Sequence, residues 1–103
     1  MRKYFFVAEL PGKGVVGWVH VYGVFLPVVE PHAELGGLVV EDSVRSLGIG
    51  EQLLALAEGW ALQEGFSYLS VHSNVLRSRA HSFYERLGYR QIKEQKVFEK
   101  ALV

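Results

Sequence analysis

The sequence predicts a mixed α/β (α+β) domain with elements in the order β-β-β-α-β-α-β, and three observations predict it. Residues 1–40 are rich in Val, Tyr and Phe and are interrupted by glycine and proline clusters. Two later segments repeat apolar residues at helical spacing. Between those helices lies a short alternating segment, so strand, helix and strand follow in succession, which favours a parallel crossover over Ala33 to Val71.

Taken in order, Lys3–Leu10 and Val15–Tyr22 read as two antiparallel strands joined by the turn cluster Pro11-Gly12-Lys13-Gly14. Val24–His32 is apolar but carries Pro27 and Pro31, which remove ladder donors, so it reads as a loop or irregular edge. Ala33–Val40 is a third strand, with Gly36-Gly37 in its middle marking a bulge or a close approach by another group. The polar stretch Glu41–Ser46 leads into Leu47-Gly48-Ile49-Gly50. Leu53, Leu56, Ala57, Trp60 and Ala61 then form one helical stripe, with Gly65 as its stop. Phe66–Val71 alternates as a fourth strand. Ser73 or Asn74 caps a second helix, whose stripe is Ala80, Phe83, Tyr84 and Leu87, ended by Gly88. Tyr89–Leu102 holds one or two closing strands; periodicity leaves either option open.

A chain of 103 residues has room for one domain, spanning 1–103. Half its residues are hydrophobic and 13% aromatic, which suits a packed core rather than disorder. No apolar run approaches the roughly 20 residues of a membrane helix, and Met1–Leu10 reads as a strand rather than a leader. The chain has no cysteine, which excludes disulfides, thiolate metal sites and a thiol nucleophile. A formal net charge of zero without a basic block gives no footprint for nucleic acid. The expectation is a cytoplasmic protein without nucleic-acid or membrane partners.

The chemistry concentrates in Arg45-Ser46-Leu47-Gly48-Ile49-Gly50, between a strand and a helix. A helix N-terminus leaves backbone N–H groups unpartnered and carries partial positive charge. Glycines let that backbone approach a bulky anion, and Arg45 adds a charged donor, so the segment is a candidate phosphate site. The same glycines also suit a tight turn that binds nothing. A dinucleotide fingerprint would need glycine where Leu53 stands, and a P-loop would need Lys-Ser/Thr where Glu51-Gln52 stand.

This loop and the later run Ala80-His81-Ser82-Phe83-Tyr84-Glu85-Arg86-Leu87-Gly88-Tyr89 together resemble the GNAT family of N-acetyltransferases. The loop resembles the family's Arg/Gln-x-x-Gly-x-Gly/Ala signature, the run its Ala-x-x-Phe-Tyr-x-x-x-Gly-Tyr/Phe helix, in the right order. The resemblance covers Lys3 to Val103. It implies a mostly antiparallel sheet in which acetyl-CoA wedges between the strands Ala33–Val40 and Phe66–Val71. It places the pyrophosphate on the backbone of Leu47, Gly48, Ile49 and Gly50, with Arg45 and Ser46 in the same signature. The pantetheine arm would pair with the main chain of Leu38, Val39 and Val40 like an added strand. Asn74 and Arg77 lie where the family contacts the cofactor's far side, although asparagine is the usual residue at position 77.

Two side chains carry the implied chemistry. Tyr84 matches the tyrosine that protonates the leaving thiolate, and it also lies on an apolar stripe where tyrosines commonly only pack. Glu34 matches the catalytic glutamate of the histone acetyltransferase branch, a general base for an ammonium substrate; an outward strand glutamate is the plain alternative. His32 is the reserve base. His20, His72 and His81 have no spacing that suggests a metal pair, so no metal is expected.

Family members usually begin with a further strand and one or two helices that wall the acceptor site. This sequence opens at what resembles their second strand. A longer gene product, a short member, or a second copy covering the gap would each account for that, and a homodimer is one expectation. The resemblance therefore implies acetyl transfer to a primary amine, of a small molecule or a protein. A non-catalytic acetyl-CoA sensor is the alternative, and a structural interaction domain whose turn binds nothing is a third possibility.

Overall fold

The computed structural model describes residues 2–72, 78–93 and 97–103. They form two compact units, Met1–His72 and Ser73–Val103. The first holds a four-stranded sheet in the order β1-β2-β3-β4. β1 (Lys3–Leu10), β2 (Gly14–Val24) and β3 (His32–Val40) are antiparallel neighbours, and β4 (Leu69–Val71) joins β3 in parallel. A 3₁₀ turn over Asp42–Leu47 leads to α1 (Ile49–Gln63). The order and the mixed, mostly antiparallel sheet agree with the fold expected from sequence.

The core follows from alternation in β2 and β3 meeting one stripe of α1. Val19, Val21 and Ala33 are fully buried, facing Leu53, Leu54, Ala57 and Ala61. Each buried Val or Leu contributes about 1.5–3 kcal/mol. The stripe differs from the expected one. Leu54 is among the most buried side chains, whereas Leu56 is 49% exposed. The sheet takes the i, i+4, i+5, i+8, i+12 face starting at Ile49, and both candidate stripes contain Leu53 and Ala57, so periodicity alone did not separate them.

Phe66 also departs from expectation. It does not open β4 but closes α1. Gly65, at φ +90°, is the left-handed residue after the helix. Its N–H bonds Leu62 O at 3.0 Å, and Phe66 N–H bonds Ala61 O at 2.9 Å. This is a Schellman cap, whose following residue normally packs back on the helix. Phe66 does so, 5% exposed, with its ring 6.2 Å from Trp60 and 5.6 Å from Phe25. The strand is left with Leu69–Val71.

In the second unit, α2 spans Ser78–Arg86 and ends the same way: Gly88 lies at φ +95°, and Tyr89 N–H bonds Tyr84 O at 3.0 Å. The stretch Tyr89–Leu102, expected to hold one or two closing strands, holds none among its described residues. Val97 and Phe98 are 87% and 88% exposed.

Candidate active site

β3 positions the site. Its register against β2 slips at Gly36: His20 pairs with Gly37 and Val21 with Leu35, leaving Gly36 as the extra residue of a bulge. A side chain at Gly36 would collide with the His20 ring, so the bulge depends on glycine here. The bulge falls where β3 parts from β4. Among the described residues, the parallel pairing covers Ala33, Glu34 and Leu35, against Leu69, Ser70 and Val71. From Gly37 to Val40 the strand pairs, among the described residues, with β2 alone. Leu38, Val39 and Val40 thus lie on a strand edge that continues past the end of β4.

The chain next turns through Arg45, Ser46 and Leu47 in the 3₁₀ segment. Gly48, at φ +76°, ends that segment and starts α1. The first intrahelical bond runs from Gln52 N–H to Gly48 O, 3.1 Å, and no side chain caps the helix. The N–H groups of Ile49, Gly50 and Glu51 therefore stand at the positive end of the helix without intrahelical acceptors. Arg45 pairs with Asp42 Oδ1 at 2.8 Å and reaches Val40 O at 3.4 Å, which ties the turn to the end of β3.

Glu34 stands at the fork of β3 and β4 with its side chain 19% exposed. Tyr22, its cross-strand partner on β2, donates its hydroxyl to Oε2 at 2.5 Å. His72 Nε2 lies 3.0 Å from Oε1, and His32 Nε2 is 3.7 Å from the same oxygen. Burial pushes the Glu34 carboxyl up, but the Tyr22 hydrogen bond and the neighbouring His72 imidazole outweigh it and hold the group below the usual carboxylate value. The same contact acts oppositely on Tyr22. Hydrogen bonding to Glu34, then burial and the carboxylate charge, push its phenol up to about 12. The result is an ionised carboxylate beside a phenol that keeps its proton.

His32, the reserve base, is 6% exposed, stacks on Tyr68 at 4.9 Å, and has Nδ1 2.9 Å from Glu30 O. A carbonyl only accepts, so Nδ1 carries the hydrogen. The stack on Tyr68 and the bond at Nδ1 leave this buried ring only Nε2 for other contacts. Tyr84 is in the second unit; burial raises its phenol, and its ring lies 5.2 Å from Phe83 and 5.8 Å from Tyr89. Asn74 and Arg77 lie outside the described residues. No group of three metal-ligating side chains is present among the described residues. A groove of about 210 Å³ between β1 and α1 is lined by Val7, Leu10, Leu53 and Leu56 among others, and Glu34 is not part of it.

Sequence reasoning reached Glu34 but missed Tyr22 and His72. They lie 12 and 38 residues from it in the chain. A hairpin register would have revealed Tyr22, because it sits directly opposite Glu34. No local pattern announces His72, which is placed by the parallel crossover.

A model of the acetyltransferase (GNAT) family matches residues 1–89. The aminoalkylphosphonate N-acetyltransferase of Salmonella typhimurium is 45% identical over 58 residues, covering 56% of this chain and 38% of that protein. The uncharacterized N-acetyltransferase YhdJ of Bacillus subtilis is 36% identical over 59 residues, covering 56% of this chain and 42% of its own length. The matches thus span about two fifths of these curated relatives. Among solved structures, the aminoglycoside 6'-N-acetyltransferase AAC(6')-IG of Acinetobacter haemolyticus superposes with a TM-score of 0.84 at 19% identity, over 98% of this chain and 72% of that one. An aminoglycoside acetyltransferase from an uncultured soil metagenomic sample, in complex with sisomicin, gives 0.82 at 24% identity, over 98% and 66%. AAC(6')-Iy, in complex with a CoA-containing bisubstrate analogue, gives 0.84 at 17%, over 96% and 69%. These likenesses extend the agreement to the fold, and the family match decides the assignment: the chain belongs to the acetyltransferase (GNAT) family.

Proposed function

We propose that the protein transfers the acetyl group of acetyl-CoA directly to a primary amine, with Glu34 as general base. The observation that carries this reading is the fork after Leu35. It joins an ionised carboxylate, a strand edge that no described residue pairs beyond β4, and the uncapped N-terminus of α1 within one stretch of chain. Donor and acceptor chemistry both find matching groups there. The N–H groups of Ile49 and Gly50 suit the pyrophosphate, and the backbone of Leu38, Val39 and Val40 suits the amide-bearing arm. A backbone N–H near Val39 or Val40 polarises the thioester carbonyl. Glu34 takes a proton from the ammonium, and the freed amine attacks the carbonyl carbon. The C–N bond forms as the C–S bond breaks; the departing thiolate takes a proton from the acid, a role that the resemblance implies for Tyr84, and the second proton of the attacking nitrogen replaces it. Alignment of amine and thioester supplies much of the acceleration.

The acceptor class in this reading is a small primary amine, supported by the acceptors named for the relatives, an aminoalkylphosphonate and an aminoglycoside. Free-thiol release from acetyl-CoA across a panel of such amines tests it. Glu34→Gln is expected to lower kcat/KM by about 10²-fold or more, while CoA still raises the melting temperature. Turnover by no amine, together with CoA stabilisation, would favour an acetyl-CoA sensor instead.

A further inference from the structure

We propose that His72 carries the proton collected by Glu34 out to solvent, a positioning residue that acts through Glu34 rather than on the substrate. The inference rests on the reading of Glu34 as base. Acetylation of an ammonium by a thioester yields an amide, a thiol and one free proton. That proton sits on Glu34 after each cycle and must leave before the next.

Glu34 has few exits. Its side chain is 19% exposed, and Oε2 is occupied by the Tyr22 hydroxyl, which already holds its proton and donates it. Oε1 faces His72 Nε2 at 3.0 Å, and the His72 side chain is 60% exposed. An imidazole accepts a proton at one ring nitrogen and releases one from the other. His32 is the competing route. It is closed at Nδ1 by Glu30 O, covered by Tyr68, 8% exposed at its side chain, and 3.7 Å from Oε1. Other titratable groups around the pair, among the described residues, are Tyr22 from β2, Lys3 opposite Tyr22 in the β1 register, His32 from β3, and Tyr68 ahead of β4. Among the described residues, His72 is the exposed imidazole in contact with Glu34.

In the transfer, His72 starts as the neutral imidazole with its hydrogen on Nδ1. The proton moves from the amine nitrogen to Glu34 Oε1 and on to His72 Nε2, Nδ1 releases its own proton to water, and exchange with water returns the ring to the Nδ1–H tautomer. No oxidant or further reactant is needed.

The test is chemical rescue in the full chain, with acetyl-CoA and an aminoalkylphosphonate as probe substrates. His72→Ala is expected to lower kcat about ten-fold or more, with KM little changed and the melting temperature preserved. Added imidazole should restore the rate, and the restored rate should rise with pH as the free base increases. Glu34→Gln should be slow and not rescued. A His72→Ala enzyme at full rate beside an impaired Glu34→Gln overturns the relay and leaves the base intact. An impaired His72→Ala that imidazole does not restore also overturns it. Full activity in both variants removes Glu34 as base, and the relay with it.

Discussion

Glu34 and Tyr22 show how one contact sets two proton affinities. The short bond from the Tyr22 hydroxyl favours the charged carboxylate and disfavours the charged phenolate. Removing the donor reverses the first effect. In Tyr22→Phe the Glu34 carboxyl rises, so the acid limb of kcat/KM moves to higher pH, read from a pH–rate profile. The linkage to stability has the same origin. A carboxyl depressed in the folded state contributes stability above its unfolded value, and that contribution is lost as pH falls through the folded value. The wild type should lose more stability than Tyr22→Phe on acidification across that window. Tyr84 serves two demands at once. It precedes the left-handed Gly88 by four residues, and its ring meets Tyr89, the residue whose N–H bonds Tyr84 O across that cap.

The elements respond to glycine in opposite ways. Gly48 holds φ +76° at the junction of the 3₁₀ turn and α1, and nothing lies within 4 Å of an added Cβ. The cost of Gly48→Ala is therefore conformational, about 1–2 kcal/mol, and the helix N-terminus should lose its aim. Urea melts should show the loss, and calorimetric titration should show weaker CoA binding. Gly59 lies inside α1, exposed, with no positive φ and nothing near its Cβ position. Gly59→Ala should stabilise by about 0.5–1 kcal/mol, with a rise in Tm and unchanged turnover. The bulge at Gly36 illustrates a third case, where neighbouring side chains rather than φ require glycine. It also falls where β3 leaves β4, so one irregularity bends the strand at the site.

At the scale of the molecule, the sheet and α1 form a unit with its own core, and α2 and the following segment form another. No described helix is long and apolar enough to cross a membrane. A ligand that binds only the folded state stabilises it by mass action, about 2.7 kcal/mol at one hundred times its Kd. A thermal melt in rising acetyl-CoA should show a concentration-dependent increase in midpoint, and Gly48→Ala should reduce that increase. An unchanged midpoint at saturating CoA would defeat the cofactor reading.

The sequence by itself determined the element order as far as α2 and the glycine turn between β3 and α1, while Glu34 as a candidate base came from the family resemblance. These depend on local periodicity, on the backbone freedom of particular residues, and on spacing within one short stretch of chain. Only the tertiary structure decided which face of α1 is buried, because both candidate stripes satisfy helical spacing and the sheet selects one. It also moved Phe66 from the fourth strand to the cap of α1, since two backbone hydrogen bonds and an aromatic pocket outweigh alternation. The partners of Glu34 emerged only there too. Tyr22 reaches it across a hairpin and His72 through a parallel crossover, and registers of that kind are fixed by packing over 12 and 38 residues of chain rather than by any neighbouring pattern.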